Sequence, residues 1–353
     1  MAYTNIDDPS AHFQTATYSN NGSTITVTND GNSNLKPDLI WNKQRTNGGY
    51  HGLWDSSRGI SRSLSSNVTA NEQFNSGKGI TAFNTDGFTG VEGSWAEFNQ
   101  SSQTSVTWQW KANGGTTASN TTGSINATVQ ANTTAGFSII TWSGTGSVGT
   151  IGHGLGAAPA MLIVKNRTTG VDWAVYHKDM TDAGYTLALN NDDGQIDSGT
   201  NRWNHTAPTS SVFSVGAGQQ TNQNTNNMIC YAFAEKQGYS KFGKYIGNSL
   251  TNGAFVYTGF KPAFIMLKQS SNSGNGWFII DSTRDPDNKT TSQYLRGDES
   301  GAEGSSKILD LLSNGFKLKN NDSGVNGAYH TYIYMAFAEN PFVTSTGTPT
   351  PAG

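Results

Sequence analysis

The chain repeats one set of landmarks three times along its length. Each copy has a proline followed directly by an apolar, strand-like run, at Pro37, Pro159 and Pro262. An aromatic residue precedes each proline by 17 to 19 residues, and a Phe follows it by 51 to 54 residues. Each copy closes on an alternating strand with large side chains at Trp108/Trp110, Tyr231/Phe233 and Met335/Phe337. Because every landmark recurs with a period of about a hundred residues, the sequence predicts three homologous modules in tandem.

The repeat also predicts the domain boundaries. The segment between the first two modules is rich in Asn, Gly, Thr and Ser, which is typical of an extended linker. The two ends of the chain read as arms outside the folded units. We therefore expect an N-terminal arm (1–12), module 1 (13–112), a low-complexity linker (113–135), module 2 (136–236), module 3 (237–342) and a flexible tail (343–353).

The pattern of residues predicts an all-β fold. Segments of five to eight residues rich in Val, Ile, Thr and aromatics alternate with turns such as Asn29-Asp30-Gly31. Many short strands separated by turns indicate a β-sandwich of jelly-roll or lectin-like type in each module. One short helix is predicted over 302–312, where Ile308, Leu311 and Leu312 have helical spacing.

The closing strands differ between modules. Those of modules 2 and 3 are apolar on both faces, so both faces must be covered. In module 1, Ser105, Thr107 and Gln109 alternate with large apolar residues, which predicts a sheet with one face in water. We expect modules 2 and 3 to pack on each other or on a partner, and module 1 to stand apart.

Composition excludes several classes of function. Charged residues are 13% of the chain, against roughly 25% in a typical domain, and the net charge is −3. No basic cluster interleaves with aromatics, so we expect no nucleic-acid partner. No apolar run approaches the ~18 residues that a membrane helix needs, so we expect no membrane partner. The N-terminus lacks a secretory signal pattern, which predicts synthesis in a cytoplasm and no secretion.

We find no catalytic constellation in the sequence. Six scattered histidines and one cysteine predict neither a metal site nor a cofactor, and Cys230 reads as a small core residue. A glycosidase would need two facing carboxylates, for which Asp55 and Asp281 are candidates. Both lie in a repeated Asp-Ser-Ser/Thr-Arg motif, which predicts instead a turn closed by an Asp–Arg salt bridge. We expect no enzymatic activity.

Carbohydrate binding remains open on the sequence, since aromatic rings can stack on sugars. Most aromatics match the repeat and are expected in the core. Those outside the repeat, in loops rich in Gly, Asn and Ser, are the candidate ligand-binding residues: Tyr50, Trp95, Trp203 and Tyr329.

Five further segments stand out: the opening Met1–Ser10, Leu35–Trp41, Phe83–Phe88, Gly152–Gly156 and the closing Tyr334–Phe342. These segments resemble parts of structural proteins of tailed bacteriophages, particularly marine ones. The resemblance runs over essentially the whole chain, and it brings no catalytic residues. It implies a virion protein of the tail-fibre or capsid-decoration kind that assembles in the host cytoplasm and leaves by lysis. It also implies partners among other virion proteins and a homo-oligomer, in particular a trimer, a state for which the doubly apolar closing strands are a second reason.

The sequence therefore predicts a non-enzymatic protein of the virion surface, in a tail appendage or a capsid decoration, that contributes to host attachment. The N-terminal arm and module 1 would dock on the particle, and the other modules would project outwards. A lectin-like protein that recognises a host surface glycan is the alternative. A glycan depolymerase is the third interpretation.

Overall fold

The computed structural model describes residues 3–94, 97–286, 288 and 291–350. The fold is almost entirely β, which confirms the predicted fold class. Within these ranges, helix is confined to three single turns: a 3-10 turn at Pro9–Ala11, α1 at Gln219–Asn222 and α2 at Ser323–Asn326.

The strands fall into three consecutive groups. The first group is β1 (Phe13–Ser19), β2 (Ile25–Val27), β3 (Leu39–Gln44), β4 (Gly52–Asp55), β5 (Arg62–Ser63), β6 (Gln73–Phe74), β7 (Gly79–Phe83), β8 (Phe88–Val91) and β9 (Thr104–Trp110). The second group is β10 (Ala118–Asn120), β11 (Ala127–Asn132), β12 (Phe137–Ser143), β13 (Gly149–Gly152), β14 (Met161–Asn166), β15 (Ala174–His177), β16 (Tyr185–Ala188), β17 (Ile196–Asp197), β18 (Val212–Val215) and β19 (Asn227–Phe233). The third group is β20 (Ser240–Ile246), β21 (Phe255–Tyr257), β22 (Phe260–Gln269), β23 (Phe278–Asp281), β24 (Ser292–Arg296), β25 (Gly304–Ser306), β26 (Leu309–Leu312), β27 (Gly315–Leu318) and β28 (Thr331–Pro341).

Each group forms a large antiparallel sheet that faces a small one. The large sheets have the orders β1-β9-β3-β4, β10-β11-β12-β19-β14-β15-β16-β17 and β20-β28-β22-β23-β24-β25. The small sheets are β2-β8-β7, β13-β18 and β21-β27-β26. In every large sheet the closing strand (β9, β19 or β28) lies between an opening strand (β1, β12 or β20) and the strand of the landmark proline (β3, β14 or β22). We call the three groups the first, second and third sandwich.

Local chemistry explains two of the landmarks. Pro262 has no N–H to donate, and the pairing of β22 with β28 shifts register on both sides of it. Gly87 has φ +82°, and a Cβ there would lie 2.0 Å from the carbonyl oxygen of Val27. The glycine of the Gly-Phe landmark is therefore required for the small sheet to close.

Each sandwich has its own apolar core, and a fourth core lies where the three large sheets meet. The closing strands contribute alternate residues to the two layers, because successive side chains point to opposite faces. Trp110, Phe233 and Phe337 meet in this central core. Their ring centroids are 6.2 Å (Trp110–Phe233), 5.9 Å (Phe233–Phe337) and 5.7 Å (Trp110–Phe337) apart. The chain therefore folds as a closed ring of three sandwiches around one aromatic centre.

Equivalent hydrogen bonds link each sandwich to the next around the ring. The residue directly before β4, β15 or β23 donates from its side chain to a backbone carbonyl of a neighbouring sandwich. These bonds run from His51 Nε2 to Arg296 O, from Trp173 Nε1 to Ser65 O and from Trp277 Nε1 to Ala188 O, each at 2.9 Å. Because the nitrogens belong to the first, second and third sandwich in turn, every pair of neighbours shares one such bond.

The expectation that module 1 stands apart is wrong. Ser105, Thr107 and Gln109 face the interior of the first sandwich and are buried. Gln109 Nε2 donates to Asn29 Oδ1 (2.7 Å), and Thr107 Oγ1 donates to Ala16 O (3.3 Å). The alternation between polar and apolar residues thus marks two buried layers, and internal hydrogen bonds satisfy Thr107 and Gln109 in the polar layer.

The doubly apolar closing strands of the second and third sandwiches are covered on both faces, as expected. Their cover is supplied within the chain, by the other sandwiches. The sequence reason for a homo-oligomer is thereby removed, and the trimer rests on the resemblance alone.

The predicted linker is part of the fold. It contains β10 and β11, and β11 pairs with β12 from Ala127↔Trp142 to Asn132↔Phe137. Gln130 is buried and donates to Ser56 and Ser57 of the first sandwich. This segment therefore extends the second large sheet towards the first sandwich.

The two arms also pack on the fold. Thr4 and Ile6 are buried, and the Tyr3 hydroxyl donates to Gly259 O of the third sandwich (2.7 Å). In the tail, the Ser345 backbone N–H donates to Asp7 Oδ1 (2.6 Å).

The predicted helix over 302–312 is wrong as well, since that segment contains β25 and β26.

Candidate functional site

The Asp55–Arg58 motif closes a turn, as the sequence predicts. The Arg58 backbone N–H donates to Asp55 Oδ1 (2.8 Å), and Arg58 Nε donates to Asp55 Oδ2 (2.5 Å). Tyr231 of the second sandwich adds a hydroxyl donor to the same Oδ2 atom (2.8 Å). Both charged side chains are fully buried. The carboxylate thus has these partners inside the protein and is closed off from solvent.

The Asp281–Arg284 motif repeats this geometry at another junction. Arg284 donates to Asp281 from its backbone N–H (2.9 Å) and from Nε (2.6 Å). Here the third partner is Trp108 of the first sandwich, whose Nε1 donates to Asp281 Oδ2 (2.9 Å). The two candidate glycosidase carboxylates therefore lie in separate junctions, each neutralised by its own arginine.

A glutamate extends each of these junctions. Glu72 accepts from Arg58 (3.2 Å) and from Arg167 of the second sandwich (2.9 Å). Burial alone would raise the pKa of Glu72, but the hydrogen bond from Arg167 and the positive charge of Arg58 outweigh it and lower this pKa to about 2. Glu303 joins Arg284 (2.7 Å) to Arg45 of the first sandwich (2.9 Å) in the same way.

The junction between the second and third sandwiches uses a histidine. His177 Nδ1 accepts from the Asp179 backbone N–H (3.2 Å), so the proton lies on Nε2, which faces Tyr334 O of the third sandwich (3.2 Å). Burial lowers the pKa of His177 to about 4, which keeps its imidazole neutral at pH 7. All three junctions thus use titratable side chains for contacts between sandwiches.

Three lysines occupy matching positions on the proline strands and are fully buried. Their ammonium groups donate to backbone carbonyls: Lys43 to Gln44 O (2.7 Å), Lys165 to Thr69 O (2.8 Å) and Val171 O, and Lys268 to Gln269 O (2.8 Å) and Asp192 O (3.2 Å). Burial lowers the pKa of each lysine to about 8. For Lys165 and Lys268 an acceptor lies in a neighbouring sandwich or in a loop packed against it, so these lysines satisfy carbonyls that the ring removes from water.

The predicted ligand-binding aromatics are scattered over the molecule. Tyr50 lies in the loop between β3 and β4 with 37% of its surface exposed, and Tyr329 lies in the turn before β28 with 93% exposed. Trp203 is 1% exposed and packs against Tyr176 in the core of the second sandwich, so the expectation that its ring faces a ligand is wrong. Trp95 lies outside the described residues.

An asparagine at the tip of each sandwich was missed by the sequence reasoning. Asn99, Asn222 and Asn326 are buried, and each binds both sides of the turn that follows β1, β12 or β20. Their side-chain oxygens accept from the backbone N–H groups of Asn21, Thr145 and Asn248, and their amide groups donate to the carbonyls of Ser23, Ser147 and Leu250. They follow the landmark prolines by 62, 63 and 64 residues, a spacing that could have identified them.

The surface clefts are open and polar. One of about 440 Å³ lies between the N-terminal residues Tyr3–Ile6, Thr133–Thr134 and Lys236–Gln237. Another, of about 290 Å³, lies over the outer strands of the second large sheet. In the described ranges no cluster of three metal-ligating side chains occurs, and no helix there has the length and hydropathy to cross a membrane.

The fold defines an all-β protein built as a closed ring of three sandwiches whose titratable groups hold the ring together. A family model described as a domain of unknown function (DUF7483) matches residues 8–341, and the protein belongs to this family. The comparison with curated proteins found no match.

Proposed function

We propose that this protein is a non-enzymatic structural component of the surface of a tailed-bacteriophage particle. The observation that carries the proposal is the use of the acid and base side chains. Asp55, Asp281 and His177 are buried and hold neighbouring sandwiches together, which favours a building block over a hydrolase. The resemblance of the sequence motifs to phage structural proteins is the reason to place this building block on a phage particle.

The architecture supports the same role. A ring with four apolar cores and both arms packed against it is a rigid unit, and a charged fraction of 13% leaves a surface of neutral polar side chains. Such a unit suits a decoration or appendage that must keep its shape outside the cell. We propose that it assembles with other virion proteins in the host cytoplasm and is released by lysis.

The test is localisation on purified particles by mass spectrometry and cryo-electron microscopy. We expect the protein to remain with the particles through density-gradient purification, and ring-shaped density to lie on the capsid lattice or on the tail. Loss of the protein from purified particles, or release of reducing ends from host polysaccharide by the purified protein, would contradict the proposal.

A second candidate, glycan binding, is favoured by the polar cleft over β11, β12 and β19. Its lining includes Thr128, Thr141 and Asn227, whose hydroxyl and amide groups suit the hydroxyl groups of a saccharide. We expect replacement of Thr128 and Asn227 by Ala to weaken binding of host polysaccharide fragments, measured by calorimetry. Thr104→Ala, at the position in the first sandwich that matches Asn227, is the control. Equal binding by both variants and the parent would exclude this cleft.

A further inference from the structure

The three sandwiches build the same tip but place different side chains on it. In each, the opening strand (β1, β12 or β20) ends in a tight turn that the tip asparagine holds, and the turn before the closing strand packs against it. The backbone N–H donors Gly22, Gly146 and Ser249 all reach the carbonyl oxygen of the tip asparagine of their own sandwich. Three tip positions can therefore be compared directly.

At these positions the first and second sandwiches carry hydroxyl side chains, and the third carries large apolar ones. The last residue of the opening strand (β1, β12 or β20) is Ser19, Ser143 or Ile246. These residues are equivalent, as the pairings Ser19↔Thr104, Ser143↔Asn227 and Ile246↔Thr331 show. The residue whose carbonyl binds the asparagine amide is Ser23, Ser147 or Leu250. The residue with positive φ before the closing strand is Ser102, Thr225 or Tyr329.

The fold does not require these apolar residues. Tyr329 has φ +63°, and Ser102 and Thr225 form the same turn at +63° and +62°. A bulky residue is a rare occupant of this region of φ, and a small hydroxyl residue suffices in two of three cases. The described part of the chain leaves the third tip uncovered, because Ile246 is 63% exposed, Leu250 57% and Tyr329 93%. The side chains are therefore placed for a contact outside the chain.

The size of the patch identifies the kind of partner. An aromatic side chain buries roughly 150–250 Å², so the almost fully exposed Tyr329 presents an area of that order, and the partly exposed Ile246 and Leu250 extend it to a patch of about a few hundred Å². Contiguous apolar patches of this size on monomers are often functional. A stable dimer buries about 800 Å² per partner, so the patch is too small to hold a second copy of the chain by itself. Tyr329 is 93% exposed and can therefore insert into a pocket instead, and Tyr is among the residues that dominate binding energy at such sites.

We propose that Ile246, Leu250 and Tyr329 form a docking knob that inserts into an apolar pocket of another protein of the particle. This inference rests on the proposed function and adds to it the surface through which the protein attaches. The Tyr329 hydroxyl supplies a hydrogen bond at the mouth of the pocket, as buried Tyr usually does at interfaces. Because only one of three tips carries the knob, each ring attaches through a single sandwich.

The test exchanges the knob for the side chains of the second sandwich. The variant Ile246→Ser, Leu250→Ser, Tyr329→Thr copies Ser143, Ser147 and Thr225, and replacement of those three residues by Ala is the matched control. Particles produced without the protein are incubated with each purified protein, and bound copies per particle are counted after sedimentation. We expect the knob variant to lose at least tenfold in binding and the control variant to bind like the parent.

The outcomes separate the two proposals. If the parent does not bind particles at all, the proposed function fails; if the parent and the knob variant bind equally, only the docking knob fails. Self-association of the parent that the knob variant loses, measured by analytical ultracentrifugation, would overturn the protein pocket in favour of a second copy. Flotation of the parent alone with phosphatidylglycerol vesicles would overturn it in favour of a lipid surface. Tyr329→Thr by itself, with an unchanged melting temperature, repeats the test without altering the first turn.

Discussion

The junction at Glu72 allows a quantitative test of the ring. Glu72 is nearly buried and bridges Arg58 of its own sandwich and Arg167 of the next. Its pKa is about 2 in the folded protein, against an ordinary value of 4.5 for a glutamate in water. One pKa unit corresponds to about 1.4 kcal/mol, so the ionised carboxylate contributes about 3 kcal/mol to the free energy of unfolding at pH 7. Glu72→Gln removes the charge and keeps the size of the side chain.

The pH dependence has a definite sign. A carboxylate whose folded pKa is depressed stabilises the protein above its unfolded pKa, and this contribution disappears as the pH falls through the folded pKa. The difference between parent and Glu72→Gln should therefore be about 3 kcal/mol at pH 7 and decrease to about 1 kcal/mol at pH 3. Between pH 7 and 5 it should be constant.

The assay is urea unfolding of both proteins at several pH values, followed by tryptophan fluorescence. Glu299→Gln is the control, because Glu299 forms an exposed ion pair with Arg296 and such pairs contribute about 0–1 kcal/mol. A loss at Glu72 no larger than that at Glu299, or a loss that does not change between pH 7 and 3, would refute the reasoning that this junction stabilises the ring.

Three further predictions concern the central core and the buried lysines. Trp108→Ala should lower the free energy of unfolding by about 3–5 kcal/mol by calorimetry, because it leaves a cavity and removes one donor from the buried Asp281 carboxylate; a loss below 1 kcal/mol would contradict a filled centre. The fragment 118–233 should give no cooperative thermal transition, since its central face would be exposed to water; a sharp transition would mean that this sandwich folds alone. Lys43, Lys165 and Lys268 have folded pKa values of about 8, below the ordinary lysine value of 10.5. The unfolded chain therefore binds more protons between these two pH values, and stability should rise with pH in that range. From pH 8 to 10 the parent should gain about 2 kcal/mol relative to Lys268→Met in urea unfolding, and a pH-independent difference would show that Lys268 titrates normally.

The sequence predicted what local chemistry determines. The proline strands and the alternation of the closing strands follow from backbone constraints and side-chain direction, and the structure has strands at those places. The burial of Cys230 and the turn closed by Asp55 and Arg58 were also predicted correctly, because each depends on neighbours within a few residues.

What the sequence could not predict depends on contacts between distant segments. Gln109 alternates with apolar neighbours as a solvent-facing residue would, and only its bond to Asn29, 80 residues away, reveals a second buried layer. The segment 113–135 has the composition of a linker, yet it supplies strands because β12 offers an edge to pair with. At 302–312 the apolar spacing was compatible with a helix, and pairing with neighbouring strands decided for β structure.

The candidate site shows the same division. Tyr329 was identified because it departs from the repeat, and it is exposed. Trp203 also departs from the repeat, but it packs under its own loop against Tyr176. Exposure depends on what lies above a side chain, and a single sequence does not contain that information.

The joining of three sandwiches in one chain frees each from the others. In a ring assembled from three identical polypeptides, every substitution is made three times, and a side chain useful at one corner burdens the other two. Here a substitution alters one corner only. The second sandwich has two additional strands, β10 and β11, and the third has its apolar tip. All three sandwiches still share the central core. In a ring made from one chain, a single sandwich can therefore be specialised for one neighbouring protein. A ring of identical subunits can bind such a partner at one position only by breaking its symmetry.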